Sequence, residues 1–193
     1  MQLNTSQKKG KRKEETRECL SFEKKNNYLV LDVRNENDFV MGHIPKSIFI
    51  GLNGSFAPWV GTLIKNVNRP ILLVAPLGKE KEAITRLSRV GFDNVIGYLK
   101  GGFDNWKQSQ RDTDSIISLK VENLNKEGNQ VFYDVRNKSE SESGKLINSK
   151  NIPLDFVQNK IGAFPKRDPF YVHCAGGYRS VIAISLLKLN GIH

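Results

Sequence analysis

The sequence predicts an α/β protein built from two tandem units, each a mostly parallel sheet flanked by helices. The first observation is a repeat: residues 28–35 read YLVLDVRN, and residues 130–137, 102 positions later, read QVFYDVRN. The second is the alternation of short, continuously apolar segments with helical segments, which is typical of a sheet buried on both faces. A period of about a hundred residues is too long for a solenoid, so it indicates tandem domains.

Apolar runs and glycine positions place the elements of the first unit. Its predicted strands are residues 29–33, 71–75 and 95–99. A helix is predicted over residues 79–90, with Gly91 as the C-terminal cap that ends it. A further helix is predicted to begin at Gly102 and to include residues up to 108.

The second unit follows the same order but is shorter. Residues 170–172 predict a strand, and residues 181–189 predict a helix that starts near Ser180 or Val181. The first unit continues after Gly91 with a strand and a helix, whereas two residues follow Gly191. We therefore expect the second unit to be C-terminally incomplete, which leaves an apolar face and a sheet edge open. The expected consequence is either reduced stability or shielding by a partner chain or by the first unit. The predicted organisation is a basic flexible leader over residues 1–22, a first unit over 23–110 and a second unit over 111–193.

Composition restricts the function classes. The chain has 193 residues, a net charge of +10 and a hydrophobic fraction of 38%, which suits one large or two small globular domains. The charge predicts a solvated surface, because neither zinc-finger spacing nor a basic patch interleaved with aromatic residues points to nucleic acid. No apolar run is long enough to span a membrane, and residues 1–20 lack the apolar stretch of a secretory signal. Two cysteines cannot form a disulfide scaffold, so the sequence predicts a reducing, cytoplasmic setting.

The segment YVHCAGGYRS, residues 171–180, carries the candidate chemistry. Cys174 follows a strand at the edge of the sheet where ligands of parallel sheets bind. Gly176 and Gly177 permit turns closed to other residues, and the helix that follows directs its unpaired N–H groups and its dipole at the loop. Such an anion cradle favours the thiolate form of a cysteine, and Arg179 adds a fixed positive charge. The pattern predicts a cysteine nucleophile beside an anion clamp.

Other polar residues near the loop have structural interpretations. His173 is expected to be a strand residue, because alternation along the strand directs its side chain away from that of Cys174. Tyr178 is equally consistent with bordering the substrate and with covering the loop. Asp134 and Arg136 are expected to form a structural ion pair or a turn.

The first unit provides an internal comparison for the loop. Residues 74–79 read VAPLGK where residues 174–179 read CAGGYR. The nucleophile is replaced by valine, both loop glycines are replaced, and arginine has become lysine. The first unit is therefore predicted to be non-catalytic and to serve packing or substrate placement.

Taken together, these motifs resemble the rhodanese family. The features are Leu-Asp-Val-Arg and Tyr-Asp-Val-Arg after a strand, GHIP at residues 42–45, GGFDNW at residues 101–106 and CAGGYRS at residues 174–180. The resemblance covers roughly residues 20–193. An inactive unit followed by an active one is also similar to the C-terminal half of bacterial persulfide dioxygenase–rhodanese fusions.

The resemblance implies a sulfurtransferase. Cys174 would attack the outer sulfur of thiosulfate or of a low-molecular-weight persulfide, and the resulting Cys174 persulfide would pass its sulfur to cyanide, sulfite or a thiol. Arg179 would orient the anionic donor and stabilise charge on the leaving group. The substrate-binding residues implied are those of the loop: Ala175, Gly176, Gly177, Tyr178 and Ser180.

The resemblance implies neither a metal nor an organic cofactor. The partners it implies are small anionic sulfur donors and acceptors, together with a partner protein or an upstream metallo-β-lactamase-like domain. Nucleic acid and membrane are not expected as partners.

Two other functions stay open from the sequence. A cysteine phosphatase or arsenate reductase also uses a cysteine, a loop of amides and an arginine, but four residues separate Cys174 from Arg179, one fewer than in those phosphate-binding loops. A sulfur-delivery or sensing module would form the persulfide and release it slowly. In such a module Cys19 would relay the sulfur, although a spare thiol in the leader is the simpler interpretation.

Overall fold

Two parallel sheets organise the structure, a computed structural model that describes residues 28–123 and 130–193. The strand order is β2-β1-β3-β4 in the first sheet and β6-β5-β7 in the second. The predicted α/β class, with parallel sheets flanked by helices, is confirmed. The predicted leader over residues 1–22, including Cys19, lies outside the described residues.

The first sheet carries its helices in alternation with its strands. Its strands are β1 (Leu29–Asp32), β2 (Ile48–Phe49), β3 (Ile71–Val74) and β4 (Val95–Tyr98). Its helices are α1 (Glu36–Met41), α2 (Phe56–Leu63), α3 (Glu80–Ser88) and α4 (Gly102–Gln108). The central strand β3 is buried at every position, as its uninterrupted apolar sequence ILLV requires.

The second sheet repeats the start of this order. Its strands are β5 (Phe132–Asp134), β6 (Ser149–Asn151) and β7 (Tyr171–His173). Its helices are α5 (Lys138–Glu142) and α6 (Tyr178–Leu189), and short 3-10 helices lie at Val121–Asn123, Leu154–Phe156 and Gln158–Ala163. Helix α6 begins two to three residues before the predicted start near Ser180 or Val181, because Gly177 adopts a φ of +92° and forms the N-cap.

The repeat seen in the sequence is also present in backbone and side-chain geometry. Arg34 pairs with Asp32 (Nη2 to Oδ2, 2.7 Å) and donates to the carbonyl of Gly42 (2.7 Å). Arg136 makes the same contacts with Asp134 (2.6 Å) and with the Gly144 carbonyl (2.7 Å). The structural ion pair expected for Asp134 and Arg136 is therefore confirmed. The turn before the second strand of each unit likewise contains one left-handed residue at equivalent positions, Lys46 (φ 64°) and Asn148 (φ 63°).

The two units share one hydrophobic core, and helix α6 lies at their junction. It buries Val181, Ile182, Leu186 and other residues in a core cluster that is continuous with β1 and β2 of the first unit. The Phe49 amide of edge strand β2 donates to Ser185 Oγ (3.1 Å), so α6 covers that edge of the first sheet.

The segment between the sheets packs on the first unit. Residues 114–116, which belong to the predicted second unit, form backbone hydrogen bonds along the first unit, including Asp114 N to His43 O (2.9 Å) and Ile116 N to Val40 O (3.0 Å). Asp114 also accepts hydrogen bonds from Lys188 Nζ of α6 (2.8 and 2.9 Å). Among the described residues, no helix is both long and apolar enough to cross a membrane.

Candidate active site

The candidate loop lies where the sequence predicts it, between β7 and α6. Strand β7 ends at His173, Cys174 follows directly, and α6 begins at Tyr178. Cys174 is therefore at the carboxyl end of a parallel strand, the edge where open α/β sheets bind ligands. Its side chain is half-buried.

The sulfur of Cys174 has two close polar neighbours, both from the loop and the first turn of α6. The Gly177 amide donates to Sγ over 3.2 Å. Ser180 Oγ lies 3.6 Å from Sγ and donates its own hydrogen bond to the Gly177 carbonyl (2.7 Å). An amide directed at sulfur from the beginning of a helix is a donor that can stabilise negative charge there.

The two loop glycines have different roles. Gly177 needs its left-handed φ of +92° to direct its N–H at Sγ, and a side chain there would be strained. Gly176 lies outside the left-handed region, and a Cβ built on it meets nothing within 4 Å. The expectation that both glycines serve a conformation closed to other residues is therefore wrong for Gly176. Gly176 and Ala175 are exposed.

Arg179 is bound by a carboxylate that the sequence analysis does not single out. Its Nη1 and Nη2 donate to Glu140 Oε2 (2.6 Å) and Oε1 (2.8 Å), a bidentate ion pair. Glu140 Oε2 also accepts from the Asn137 backbone amide (3.2 Å) at the start of α5. The hydrogen bond from Arg179 is the main cause that lowers the pKa of Glu140 to about 2, so the pair is fully ionised at neutral pH. The positive charge predicted to face the substrate is thus largely balanced in this structure.

Tyr178 extends away from the loop towards the first unit. Its hydroxyl donates to the Gly51 carbonyl (2.7 Å), and its ring packs edge-on against Phe49, with centroids 5.6 Å apart. Burial is the main cause that raises the pKa of Tyr178, which keeps the hydroxyl protonated as a donor. Of the two interpretations open from the sequence, this placement is closer to covering the loop than to bordering a substrate.

His173 lies within β7, as the sequence analysis expects. Its Nε2 is 3.1 Å from Ser149 Oγ on β6, the strand on the other side of β5. Burial lowers the pKa of this imidazole, which keeps it neutral in the folded protein. His173 therefore joins two strands at the base of the loop.

A groove of about 860 Å³ gives access to the thiol. Cys174, Gly177 and Ser180 lie on its wall, together with Arg136 and the linking residues 115–119. This groove runs beside β7, where the sequence analysis expects an open edge.

In the first unit the corresponding space is filled. There Val74 is fully buried under Leu99, Phe103 and Trp106, and Phe103 stacks on the Arg34 guanidinium at 4.3 Å. Lys79, the counterpart of Arg179, pairs with Glu82 (2.9 Å). The first unit thus lacks both a thiol and an open face at this position.

Sequence reasoning missed three residues around the loop: Glu140, Gly51 and Gly54. Glu140 is three residues after Asn137, the spacing of a capping box, which is a recognisable sequence signal for a helix start. That signal predicts the contact between Glu140 and the Asn137 amide but not the one with Arg179. The two glycines contact Tyr178 from 127 and 124 positions away in the sequence, and no local pattern indicates such a contact.

The site consists of a cysteine whose sulfur accepts a hydrogen bond from a loop amide, between a parallel strand and a helix. The family model described as "Rhodanese-like domain" matches residues 16–109 and again residues 119–193. The chain belongs to the rhodanese-like domain family, and the resemblance drawn from the sequence motifs is confirmed.

Individual proteins similar to this chain carry related descriptions. "Adenylyltransferase and sulfurtransferase uba4" of Sclerotinia sclerotiorum is 34% identical over 107 residues, which make up 49% of this chain and 24% of that protein. This chain thus spans about a quarter of the length of that curated relative. Among solved structures, a thiosulfate sulfurtransferase from Pseudomonas aeruginosa is 21% identical to this chain, with a TM-score of 0.41. The match covers 81% of this chain and 34% of that protein. The SseA protein of Escherichia coli, titled as a 3-mercaptopyruvate sulfotransferase, is 14% identical with a TM-score of 0.40 and covers 90% and 92%.

Proposed function

We propose that this chain is a sulfurtransferase that carries sulfane sulfur on Cys174. The donor is thiosulfate or a low-molecular-weight persulfide, and the acceptor is cyanide, sulfite or a thiol. The observation that carries this proposal is the Gly177 amide 3.2 Å from Sγ, at the start of α6 and open to the groove. A reducing, cytoplasmic setting suits such a carrier, because an oxidised cysteine cannot accept sulfur.

The proposed reaction has two displacement steps. The Cys174 thiolate attacks the outer sulfur of the donor, forming a new S–S bond while the donor's S–S bond breaks. With thiosulfate, sulfite leaves with the electron pair. The acceptor then attacks the outer sulfur of the Cys174 persulfide, and the Cys174 thiolate leaves. Sulfur moves between two nucleophiles, so no external oxidant or reductant is consumed.

The loop residues have distinct roles in this proposal. The Gly177 N–H stabilises charge on Sγ, both before attack and when the thiolate leaves. Ser180 Oγ, 3.6 Å from Sγ, is a second polar contact that limits where the sulfur can move. Exposed Ala175 and Gly176 border the incoming donor without obstructing it.

Arg179 has a weaker role than its residue type suggests. Two of its guanidinium nitrogens are engaged by Glu140, which leaves the pair without net charge. A donor dianion such as thiosulfate is therefore attracted less strongly than it would be by a free arginine. This balance favours singly charged persulfides over thiosulfate as donors.

Steady-state turnover tests the proposal. Thiocyanate formation from cyanide would be measured with thiosulfate and with glutathione persulfide as donors. We expect wild type and the matched control Cys19→Ser to turn over, whereas Cys174→Ser does not. Turnover that survives in Cys174→Ser would reject the proposal, and a wild type that releases sulfur only in a single slow turnover would instead identify a sensing or delivery module.

A further inference from the structure

Adjacent residues anchor the candidate loop in opposite directions. Arg179 binds Glu140 within the second unit, whereas Tyr178 donates to the carbonyl of Gly51 in the first unit. The catalytic loop is thus fixed from both units, although the first unit carries no nucleophile.

The first unit receives Tyr178 on a turn formed by residues 51–54, here called the Tyr178 seat. A Cβ built on Gly54 would lie 2.3 Å from Tyr178 Cζ, and one on Gly51 would lie 3.2 Å from Tyr178 Cε2. Two glycines therefore leave the room that the ring occupies. The seat is itself anchored, because the Leu52 amide donates to Val33 O (3.1 Å) and Arg86 Nη1 donates to Leu52 O (2.8 Å).

The seat is a feature of the first unit and not of the repeat. Ile50 and Ile152 are equivalent, since their amides bond the carbonyls of Asp32 and Asp134 in the same way. Pro153 therefore stands where the first unit has Gly51. In the opposite direction, the loop of the first unit has the side-chain-free Gly78 near the position of Tyr178. The contact runs one way, from the active loop into the inactive unit.

Tyr178 directly follows Gly177, the residue whose amide contacts the sulfur of Cys174. Gly177 provides the amide that donates to Sγ, and the Ser180 hydroxyl within the same helical turn donates back to the Gly177 carbonyl. Gly177 has a left-handed φ, and a Cβ built on it meets nothing within 4 Å, so no side-chain packing holds it in place. Its carbonyl is held by the first turn of α6, and the side chains of Tyr178 and Arg179 connect that turn to the first unit and to Glu140.

We propose that Tyr178 is a positioning residue through which the Tyr178 seat of the inactive first unit sets the orientation of the Gly177 amide, and hence the reactivity of Cys174. The inference rests on the proposed function only in taking Cys174 as the reacting thiol. It assigns the first unit a specific task, which is to hold the catalytic loop from outside.

The pH profile of Cys174 alkylation tests this without requiring sulfur transfer. Iodoacetamide modification would be followed on the Cys174 peptide by mass spectrometry, so that Cys19 does not interfere. Gly54→Ala forces the Tyr178 ring to move, whereas Gly61→Ala is a matched control at an exposed position of α2, where an added Cβ meets nothing within 4 Å. We expect Gly54→Ala to shift the alkylation profile to higher pH and to slow alkylation at pH 7 about tenfold, as loss of one charge-assisted hydrogen bond would. Gly61→Ala should match wild type.

A double-mutant cycle with Tyr178→Ala shows whether the effect passes through the tyrosine. The proposal predicts that Gly54→Ala has no further effect once Tyr178 is alanine, and that Tyr178→Phe, which keeps the ring, is intermediate. A folded Gly54→Ala variant with the wild-type profile would overturn the proposal, as would a full Gly54→Ala effect in the Tyr178→Ala background. If Cys174 alkylation responds to the Gly54 and Tyr178 substitutions as predicted but wild-type Cys174 accepts no sulfur, the proposed function fails while the positioning role stands.

Discussion

At the scale of single residues, the Arg179–Glu140 ion pair sets the net charge that the candidate site presents to an anionic donor. The sequence indicates a cysteine and an arginine at the start of a helix, and the structure confirms their proximity to that helix start. The bidentate contact with Glu140 changes what the arginine can do, because its charge is neutralised before a substrate arrives. Loop composition alone therefore overstates the positive charge of this site.

Removing the carboxylate charge should strengthen the binding of anionic donors. In Glu140→Gln, the Arg179 charge is no longer balanced, so we expect the KM for thiosulfate to fall about two- to fivefold with little change in kcat. The measurement is steady-state turnover at low ionic strength. Glu142→Gln is the control on the same helix, because Glu142 is exposed and pairs with Lys138 instead. A KM that rises in Glu140→Gln, or that falls equally in both variants, would contradict this interpretation.

At the scale of elements, the sequence predicts those that contain long apolar runs or clear glycine signals. Strands β1, β3 and β4 and helix α4 lie within a residue of their predicted bounds, and α3 is shorter at both ends. Elements β2, α1, α2, α5 and β6 were not predicted, because segments of two to eight residues show too little periodicity. The packing of α6 on β2 could not be predicted either, since it depends on how two units with similar sequences face each other.

Ser185 on α6 provides a test of that packing. Its Oγ accepts a hydrogen bond from the buried Phe49 amide of β2, and Ser185→Ala would leave that amide without a partner. We expect the free energy of unfolding to fall by about 1–3 kcal/mol, measured by urea denaturation at equilibrium. Ser143→Ala is the matched control, because the exposed Ser143 hydroxyl bonds only the Ser139 carbonyl of its own helix. Equal losses in the two variants would show that the contact between α6 and β2 contributes nothing.

At the scale of the whole molecule, the two units depend on each other through one core and one polar cluster. The core cluster combines Phe49 and Leu52 of the first unit with Tyr133 and Leu186 of the second. At its edge, Asp114 pairs through its backbone with His43 and accepts hydrogen bonds from Lys188 of α6. The repeat in the sequence predicts two similar units, but polar residues that join them, such as Ser185 and Lys188, lie at positions where the units differ.

Buried histidines should make the free energy of unfolding of this protein sensitive to mild acid. Burial lowers the pKa of His43, whose Nδ1 lies 2.8 Å from the Phe39 carbonyl, and it lowers the pKa of His173 too. Between pH 7.5 and 6 the unfolded chain therefore takes up protons that the folded chain does not, so the free energy of unfolding falls as pH falls. The loss begins near the ordinary histidine pKa of about 6.5 and is absent above it.

Urea denaturation at pH 7.5 and at pH 6 measures this loss. In His43→Asn the loss should be smaller than in wild type, with the remainder due to His173. A loss of the same size in His43→Asn would show that His43 is protonated equally easily in the folded and unfolded states.

The intact mass of the reduced protein after exposure to thiosulfate or glutathione persulfide tests the central claim most directly. The account predicts a gain of about one sulfur, ~32 Da, on wild type and on Cys19→Ser, and none on Cys174→Ser. Cyanide or a thiol should discharge the added sulfur. A folded wild-type protein that gains no mass from either donor, or a Cys174→Ser variant that gains as much as wild type, would contradict the assignment of Cys174 as the sulfur carrier.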